Sequence, residues 1–138
     1  MKSLNLFSVL AVIILSLSAH AQSNPQIRVC NQTGGQFNVA TTENDQIGLC
    51  KYDGAYVGTI DLLNYHNNIK QVQSLQTYID GIQSCEPYGQ MKTIKILQGV
   101  SINVCIFDDG SMIDADTLTK GRHDCGNNKL NKALEINF

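Results

Sequence analysis

Tryptophan is absent from the 138-residue chain, neither charge sign forms a block, and no two cysteines stand closer than twenty residues apart. Each absence removes a class of function. Without a basic patch, or a basic stripe interleaved with aromatics, there is no electrostatic footprint for nucleic acid and no stacking platform for single strands. Cysteine-built zinc sites draw paired ligands from one tight turn, as in C-x-x-C, so the wide intervals argue against a metal centre and no cofactor is expected. The G-x-S-x-G of a serine nucleophile elbow does not occur. The acidic stretch FDDGSMIDADT carries Asp108, Asp109, Asp114 and Asp116. It lacks the alternating ligands and final glutamate of an EF-hand, and reads as a solvated hairpin turn.

Long apolar runs are missing too, except at the very start. There Lys2 precedes the apolar run Leu6 to Leu17, and Ala19-His20-Ala21 supplies a small-x-small cleavage site. That three-part pattern predicts a secretory signal peptide over residues 1–21, too short and wrongly flanked for a stable span. No cysteine follows the run at the cleavage point, which argues against a lipoprotein. The remainder, residues 22–138, is expected to be a single secreted or periplasmic domain with no stable membrane insertion. Losing Lys2 leaves nine basic against twelve acidic residues, a net charge of −3.

What is present is cysteine in a pattern. All five, Cys30, Cys50, Cys85, Cys105 and Cys125, lie beyond the leader. In an exported chain the default reading is disulfides. An odd count leaves one thiol over, free or joined to a second molecule. A shift of 55 residues lays Cys30 on Cys85 and Cys50 on Cys105, and brings Gly34 onto Gly89, Val39 onto Ile94, Ile47 onto Ile102 and Tyr52 onto Phe107. Tyr52-Asp53-Gly54 then answers Phe107 to Gly110, with one extra aspartate in the second copy. The pattern predicts two copies of one unit, about 24–67 and 78–125.

Each copy has the same grammar. QFNVAT and KTIKIL alternate apolar and polar residues, as half-buried strands do. IGLCKY and SINVCIF alternate likewise, with Ile47 and Leu49 on one face and Cys50 and Tyr52 on the other. Asp-Gly follows in both copies as a hairpin turn, and AYVGTI and SMIDA supply third strands. Between the copies, Leu62, Tyr65, Ile69, Val72, Leu75, Ile79 and Ile82 recur at helical spacing and predict one amphipathic helix over about 61–84, with Asp61 as N-cap. His66 falls on its exposed face, and Pro25 favours a shorter helix before Cys30. The expected fold is α+β: two pseudo-symmetric helix-plus-β-meander repeats forming one compact disulfide-stapled domain.

Asn24-Pro25, Cys30, Gly34-Gly35, Gly48, Cys50 and Tyr52-Asp53-Gly54, with Cys85, Cys105, Phe107, Asp109-Gly110 and KGRHDC in the second copy, resemble the bacterial domain-of-unknown-function family 333, whose members carry a hemolysin label. Both copies lack that family's cysteine shortly after the Asp-Gly turn, and the first also lacks the closing cysteine. The resemblance implies two degenerate copies in tandem and no transferable biochemistry. Lysis would call for a membrane-inserting amphipathic segment, whereas the long helix has a polar face of Asn and Gln.

Two disulfide schemes stand side by side. One joins Cys30 to Cys50 and Cys85 to Cys105, with Cys125 as the free thiol. The other joins Cys85 to Cys125 and bridges the copies. No catalytic residues are assigned. The functional expectation is a small, secreted, non-enzymatic binding protein whose partner is another macromolecule, most simply a protein of a host or competitor, with a dimer through the odd cysteine as an option. Two alternatives remain: a thiol-dependent hydrolase using Cys125 and His123 beside Asp124, and an inhibitor of an extracellular hydrolase that presents an Asp-Gly turn.

Overall fold

A computed structural model describes residues 24–97 and 99–135, and the expected leader at residues 1–21 lies outside the described residues. Helix α1 spans Pro25–Gln32. Asn24 caps it by accepting from Gln26 N at 3.0 Å, and proline at the first position carries no N–H to orphan. The helix ends where Gly34 turns to φ +87°, with Gly35 N donating to Cys30 O and Gly34 N to Asn31 O. This is the Schellman pattern, in which glycine supplies the left-handed residue.

The chain then runs through β1 (Gln36–Thr41), β2 (Gln46–Tyr52) and β3 (Ala55–Gly58), an antiparallel meander. Asp53 and Gly54 form the tight turn between β2 and β3, with Asp53 at φ 56°. Gly58 leads directly into α2 (Thr59–His66), followed by α3 (Gln73–Ile79). A second meander, β4 (Gly89–Ile96), β5 (Ser101–Phe107) and β6 (Met112–Asp114), feeds α4 (Ala115–Lys120). A 3-10 turn at Cys125–Asn127 and helix α5 (Asn128–Glu135) complete the described chain.

The single helix expected over 61–84 is two helices. Asn68 adopts φ 51°, and Ile69 N donates to Asn64 O while Asn68 N donates to Tyr65 O, a second Schellman ending with asparagine in the left-handed position. Gly81, at φ +80°, ends α3 in the same way, with Ile82 N reaching Thr77 O. The apolar spacing persists across the break because Val72 and Leu75 are still buried, although Ile69 is not. The N-cap of α2 is Gly58, and Asp61 lies in its first turn. His66, expected to be exposed, is half-buried with its ring edge-on to Tyr65.

The two meanders close into a six-stranded barrel in the order β1-β2-β3-β6-β5-β4. One seam pairs Val57 with Ile113, and the other pairs Ala40 with Ile96 and Thr41 with Lys95. Closure satisfies strand edges that an isolated meander would leave open. Alternation along the strands then sorts side chains into two apolar clusters. Cys50, Tyr52, Ala55, Val57, Cys105, Phe107 and Ile113 join Leu62, Leu75, Tyr78, Leu118 and Leu130 of the helices. Ala40, Leu49, Ile94, Ile96 and Val104 gather on the opposite face with Ile47, Ile102 and Ile106 against them.

Two disulfides tie the strands to what precedes each meander: Cys30–Cys50 and Cys85–Cys105. Cys125 is a free, exposed thiol. The local setting of the two bridges differs. Cys30 sits in the last turn of α1, whereas Cys85 lies six residues beyond α3 in an irregular segment, so the expected helix ending at the second cysteine is not formed.

Candidate functional site

The Val57–Ile113 seam delivers each third strand straight into a helix, and the two junctions solve the same capping problem in opposite ways. Asp114 is the N-cap of α4 and accepts from Thr117 Oγ1 at 2.9 Å and from Asp116 N at 3.4 Å. Gly58 is the N-cap of α2, and the acid sits three residues on, at Asp61. A Cβ at Gly58 would lie 3.1 Å from Asp61 Cγ, so the Asp61 carboxyl fills the room that a side chain at the cap would take. From there Asp61 Oδ2 accepts from Met112 N at 2.9 Å, across the seam.

Burial dominates the electrostatics of both acids. It pushes Asp61 up to about 7, against the opposing pull of the Met112 N–H; Asp109 adds a further push upward and Lys70 a pull downward. Burial also raises Asp114, which is 6% exposed, against the hydrogen bonds from Thr117 and Asp116. Asp109 goes the other way. Burial works against its charge, but donors from Gln73 N at 2.9 Å and from Ser111 N and Oγ at 2.9 and 2.6 Å together hold it below the usual carboxylate range. Those bonds dock the β5–β6 turn onto the start of α3.

Beside the second junction lies an open cleft of about 500 Å3. Asp114 and Ala115 line it from the start of α4, with Asp116 and Thr119 farther along that helix; Tyr56, Met91 and Ile102 supply apolar and aromatic wall, and Asn103 an amide. The surface beside the first junction is filled. Phe37 stands opposite Cys50 as Met91 stands opposite Cys105. The Phe37 ring lies over Gly48, where a Cβ would meet Cε2 at 2.9 Å and would crowd Thr59 Oγ1 closer still. Helix α1 packs on α2 there, and Gln26 Oε1 accepts from Thr59 Oγ1 at 3.1 Å. No helix stands in that relation to α4 among the described residues; residues 82–88 are irregular, and Gln83 Nε2 donates to Thr119 O and Lys120 O at the far end of α4.

A further cleft of about 450 Å3 occupies the break between α2 and α3, lined by Tyr65, His66, Lys70, Gln71 and Gln76 among others. Its lining is mostly polar but includes the buried Val72.

The residues singled out from sequence fall in different places. Cys30, Cys50, Cys85 and Cys105 are spent in disulfides. Cys125 and His123 are exposed on the surface segment after α4, and no hydrogen bond joins them among the described residues. Asp124, the would-be orienting acid, accepts from Gly126 N at 2.8 Å as the cap of the 3-10 turn. The two Asp-Gly turns are both tied to helices, Asp53 by an ion pair of 3.1 Å to Lys129 and Asp109 by Gln73. Asp108 and Asp109 are exposed as a hairpin turn requires, but Asp114 is not part of that solvated stretch; strand pairing with Val104 carries it inside. Among the described residues, no group of three or more His, Cys, Asp or Glu is arranged to hold a metal, and no helix is long and apolar enough to cross a membrane.

Asp61 and Asp114 were the acids that sequence reasoning undervalued, one taken as a plain N-cap and the other as a turn residue. The signal was available. Shifting the third strand by 56 residues sets Gly58-x-x-Asp61 against Asp114-x-x-Thr117, the same two positions with the acid exchanged. No family model, curated protein or solved structure matches the chain.

Proposed function

We propose that the protein is an exported, non-enzymatic binding domain whose contact with a protein partner is made at the open cleft beside α4. The observation that carries this reading is the contrast between the halves: one scaffold, one position, filled by Phe37 in the first half and left open in the second. A cleft walled by Tyr56, Met91 and Ile102 over a buried carboxylate is the mix of apolar surface and convergent polar groups that binding sites use. Two disulfides brace the strands that frame it, which limits the ordering cost of association. Disulfides also accord with an oxidising compartment outside the cytosol.

The reading includes a duplicated helix-and-meander unit and with it the resemblance to family 333. Three pairings support the duplication. Cys50 faces Val57 as Cys105 faces Ile113, and the Val57–Ile113 seam joins each residue to its own counterpart. Both cystines span twenty residues. Duplication explains why the halves share burial at Leu49, Cys50 and Tyr52 and at Val104, Cys105 and Phe107. It also explains why a difference between them is informative.

The test is site-specific photocrosslinking with the mature, oxidised protein. A crosslinker at Asn103, on the exposed rim of the cleft, is expected to yield a discrete adduct with an extracellular protein of a host or competitor cell, and one at Glu135 on α5 is not. Adducts that are the same from both positions, or none from Asn103, overturn the reading.

A further inference from the structure

We propose that the free edge of β4, from Gly89 to Thr93, takes an extended segment of a partner protein as an added antiparallel strand, with an acidic side chain of that segment opposite Lys92. This contact goes beyond the cleft beside α4, which β4 borders only through Met91, and rests on the binding reading only in taking the partner to be a protein.

Barrel closure along β4 is partial. β1 pairs with β4 at Ala40–Ile96 and Thr41–Lys95, and Leu97 N donates to Val39 O just beyond. Past Thr41 the chain turns away: Thr42 N donates to Asp45 O and Asp45 N to Thr42 Oγ1, so the turn bonds to itself. β4 nevertheless runs back to Gly89, and among the described residues no strand pairs with that side of Gly89–Ile94. Ile96 N donates to Val100 O, so the backbone groups of Ile94, Lys92 and Gln90 face β5, and those of Lys95, Thr93 and Met91 face outward. Lys95 is met by Thr41, whereas Thr93 and Met91 each present an N–H and a C=O to the open side. Gln90, Met91, Lys92 and Thr93 are exposed in succession, so neither face of this stretch is covered; burial alternates again only from Ile94. Such an edge is a template for a further strand.

A groove of about 490 Å3 lies beside this edge, between Lys92 to Ile94 and the turn at Thr42 to Asn44. It is the place that β1 would fill had it run straight on. A second copy is the wrong occupant. Pairing that uses Met91 and Thr93 of both chains sets Lys92 directly opposite the same lysine of the second copy, and like charges there are destabilising. Shifting the register wastes donors, because Gly89 N is spent on Cys85 O at 2.7 Å and Lys95 is paired with Thr41. Lysine on an edge strand is a common guard against self-pairing. The same lysine selects a partner. It is exposed, and no ion pair among the described residues includes it. Its own backbone faces β5, so an incoming residue opposite it occupies a non-hydrogen-bonded site, where facing side chains come closest. A carboxylate there supplies the opposite charge. The next residue of the segment lands on Met91, 48% exposed, where an apolar side chain fits. Glu43 on the far wall disfavours a segment made of acids alone.

The probe is the capped synthetic pentapeptide SVEVS, titrated into the oxidised protein and followed by amide shifts and hydrogen exchange in NMR. The expected result is saturable binding, with shifts and slowed exchange at Met91 and Thr93. Methylating the backbone nitrogens of both valines, which flank the glutamate and face β4, should weaken binding about tenfold or more. Methylating the glutamate's own nitrogen, which faces away, should not. Exchanging glutamate for lysine, as SVKVS, should weaken binding about fivefold, and Lys92→Glu should reverse the order of the two peptides. Thr93→Pro removes one outward N–H at an edge position that tolerates proline, and should abolish binding. Absence of saturable binding, indifference to valine methylation, or undiminished binding in Thr93→Pro overturns the proposal. So does self-association of the wild type that protects Met91 and Thr93, which assigns the edge to a second copy. If Thr93→Pro loses the native amide spectrum, the methylated peptides decide alone, since they leave the protein unaltered. Refusal of SVEVS with the Asn103 adduct still formed removes strand addition and leaves the cleft reading standing; an SVEVS complex without that adduct does the reverse.

Discussion

Asp61→Asn should make the protein more stable at pH 8, and by a clearly smaller margin at pH 5. The native carboxyl titrates at about 7 against an ordinary 3.8, chiefly because burial disfavours its charge. The folded state therefore keeps a proton between those values that the unfolded chain has already lost. By linkage, stability falls as pH rises from about 4 to 7 and is flat above it. Three pH units at about 1.4 kcal/mol each set a ceiling of ~4 kcal/mol, and water reaching the seam would bring it to about 1–2 kcal/mol. Asparagine retains an oxygen that can accept from Met112 N, so the tie across the seam survives while the charge does not. Asp109 and Lys70 act on Asp61 in opposite senses and are unchanged by the substitution.

The assay is urea unfolding at intervals from pH 4.5 to 8.5, with disulfides intact and wild type compared with the variant at each pH. Taking the difference between the two proteins matters, because Asp114 is also raised by burial and tilts the wild-type profile in the same direction. A difference that grows with pH and levels off near pH 7 is the expected result. A wild-type-to-variant difference that stays constant from pH 5 to 8 would falsify the account of Asp61 as a buried, late-ionising acid.

Removing the first disulfide by the paired Cys30→Ser and Cys50→Ser substitutions should lower stability by about 3 kcal/mol, the loop-entropy figure for a closure of this length; a change in denaturant midpoint worth less than about 1 kcal/mol would contradict it. Gly35→Ala should prevent correct oxidation of the first half, because a Cβ there would overlap Cys50 Sγ and press to 2.8 Å on the Tyr52 ring. Gly34→Ala, next door, meets nothing but must hold φ +87°, so its cost should be nearer 1 kcal/mol, with both disulfides formed. Mapping the bridges by mass spectrometry and measuring the unfolding midpoints separates the two glycines, and equal behaviour would show that Gly35 is not packed against the cystine as described.

Much of the architecture was legible because it is written in short-range alternation. Ile47 and Leu49 fall on one strand face and Cys50 and Tyr52 on the other, as their spacing required. The Asp-Gly pairs turn the chain, and Pro25 begins a helix. Barrel closure was not legible, since the seams rest on a few long-range pairs, Val57–Ile113 and Ala40–Ile96, with no local signature. The break between α2 and α3 hid beneath an apolar period that continued through it. Periodicity records which residues are buried, and a buried Val72 looks the same whether the helix runs on or stops and restarts. Asn68 carried the overlooked signal, being one of the few non-glycine residues suited to a left-handed helix end.

The candidate site was illegible for a different reason, which follows from how the two halves diverge. Aligning the two proposed copies rewards what they would share: cystines, strands and turns. The cleft consists of what they do not share. On that proposed alignment Met91, facing Cys105, stands where Phe37 faces Cys50, Asn103 stands for Gly48 and Ala115 for Thr59, and among the described residues no helix covers α4 as α1 covers α2. Each change alone is an ordinary surface or packing difference. Together they leave a cleft beside Asp114, which stays buried opposite Val104. A buried acid at a helix N-cap is self-sufficient in a filled core, where Thr117 and the backbone meet its needs. Asp114 is met in this way by Thr117 and Asp116, so it helps to shape the cleft without standing unpartnered in it. That is why the unshared positions, rather than the conspicuous thiol at Cys125, carry the functional reading.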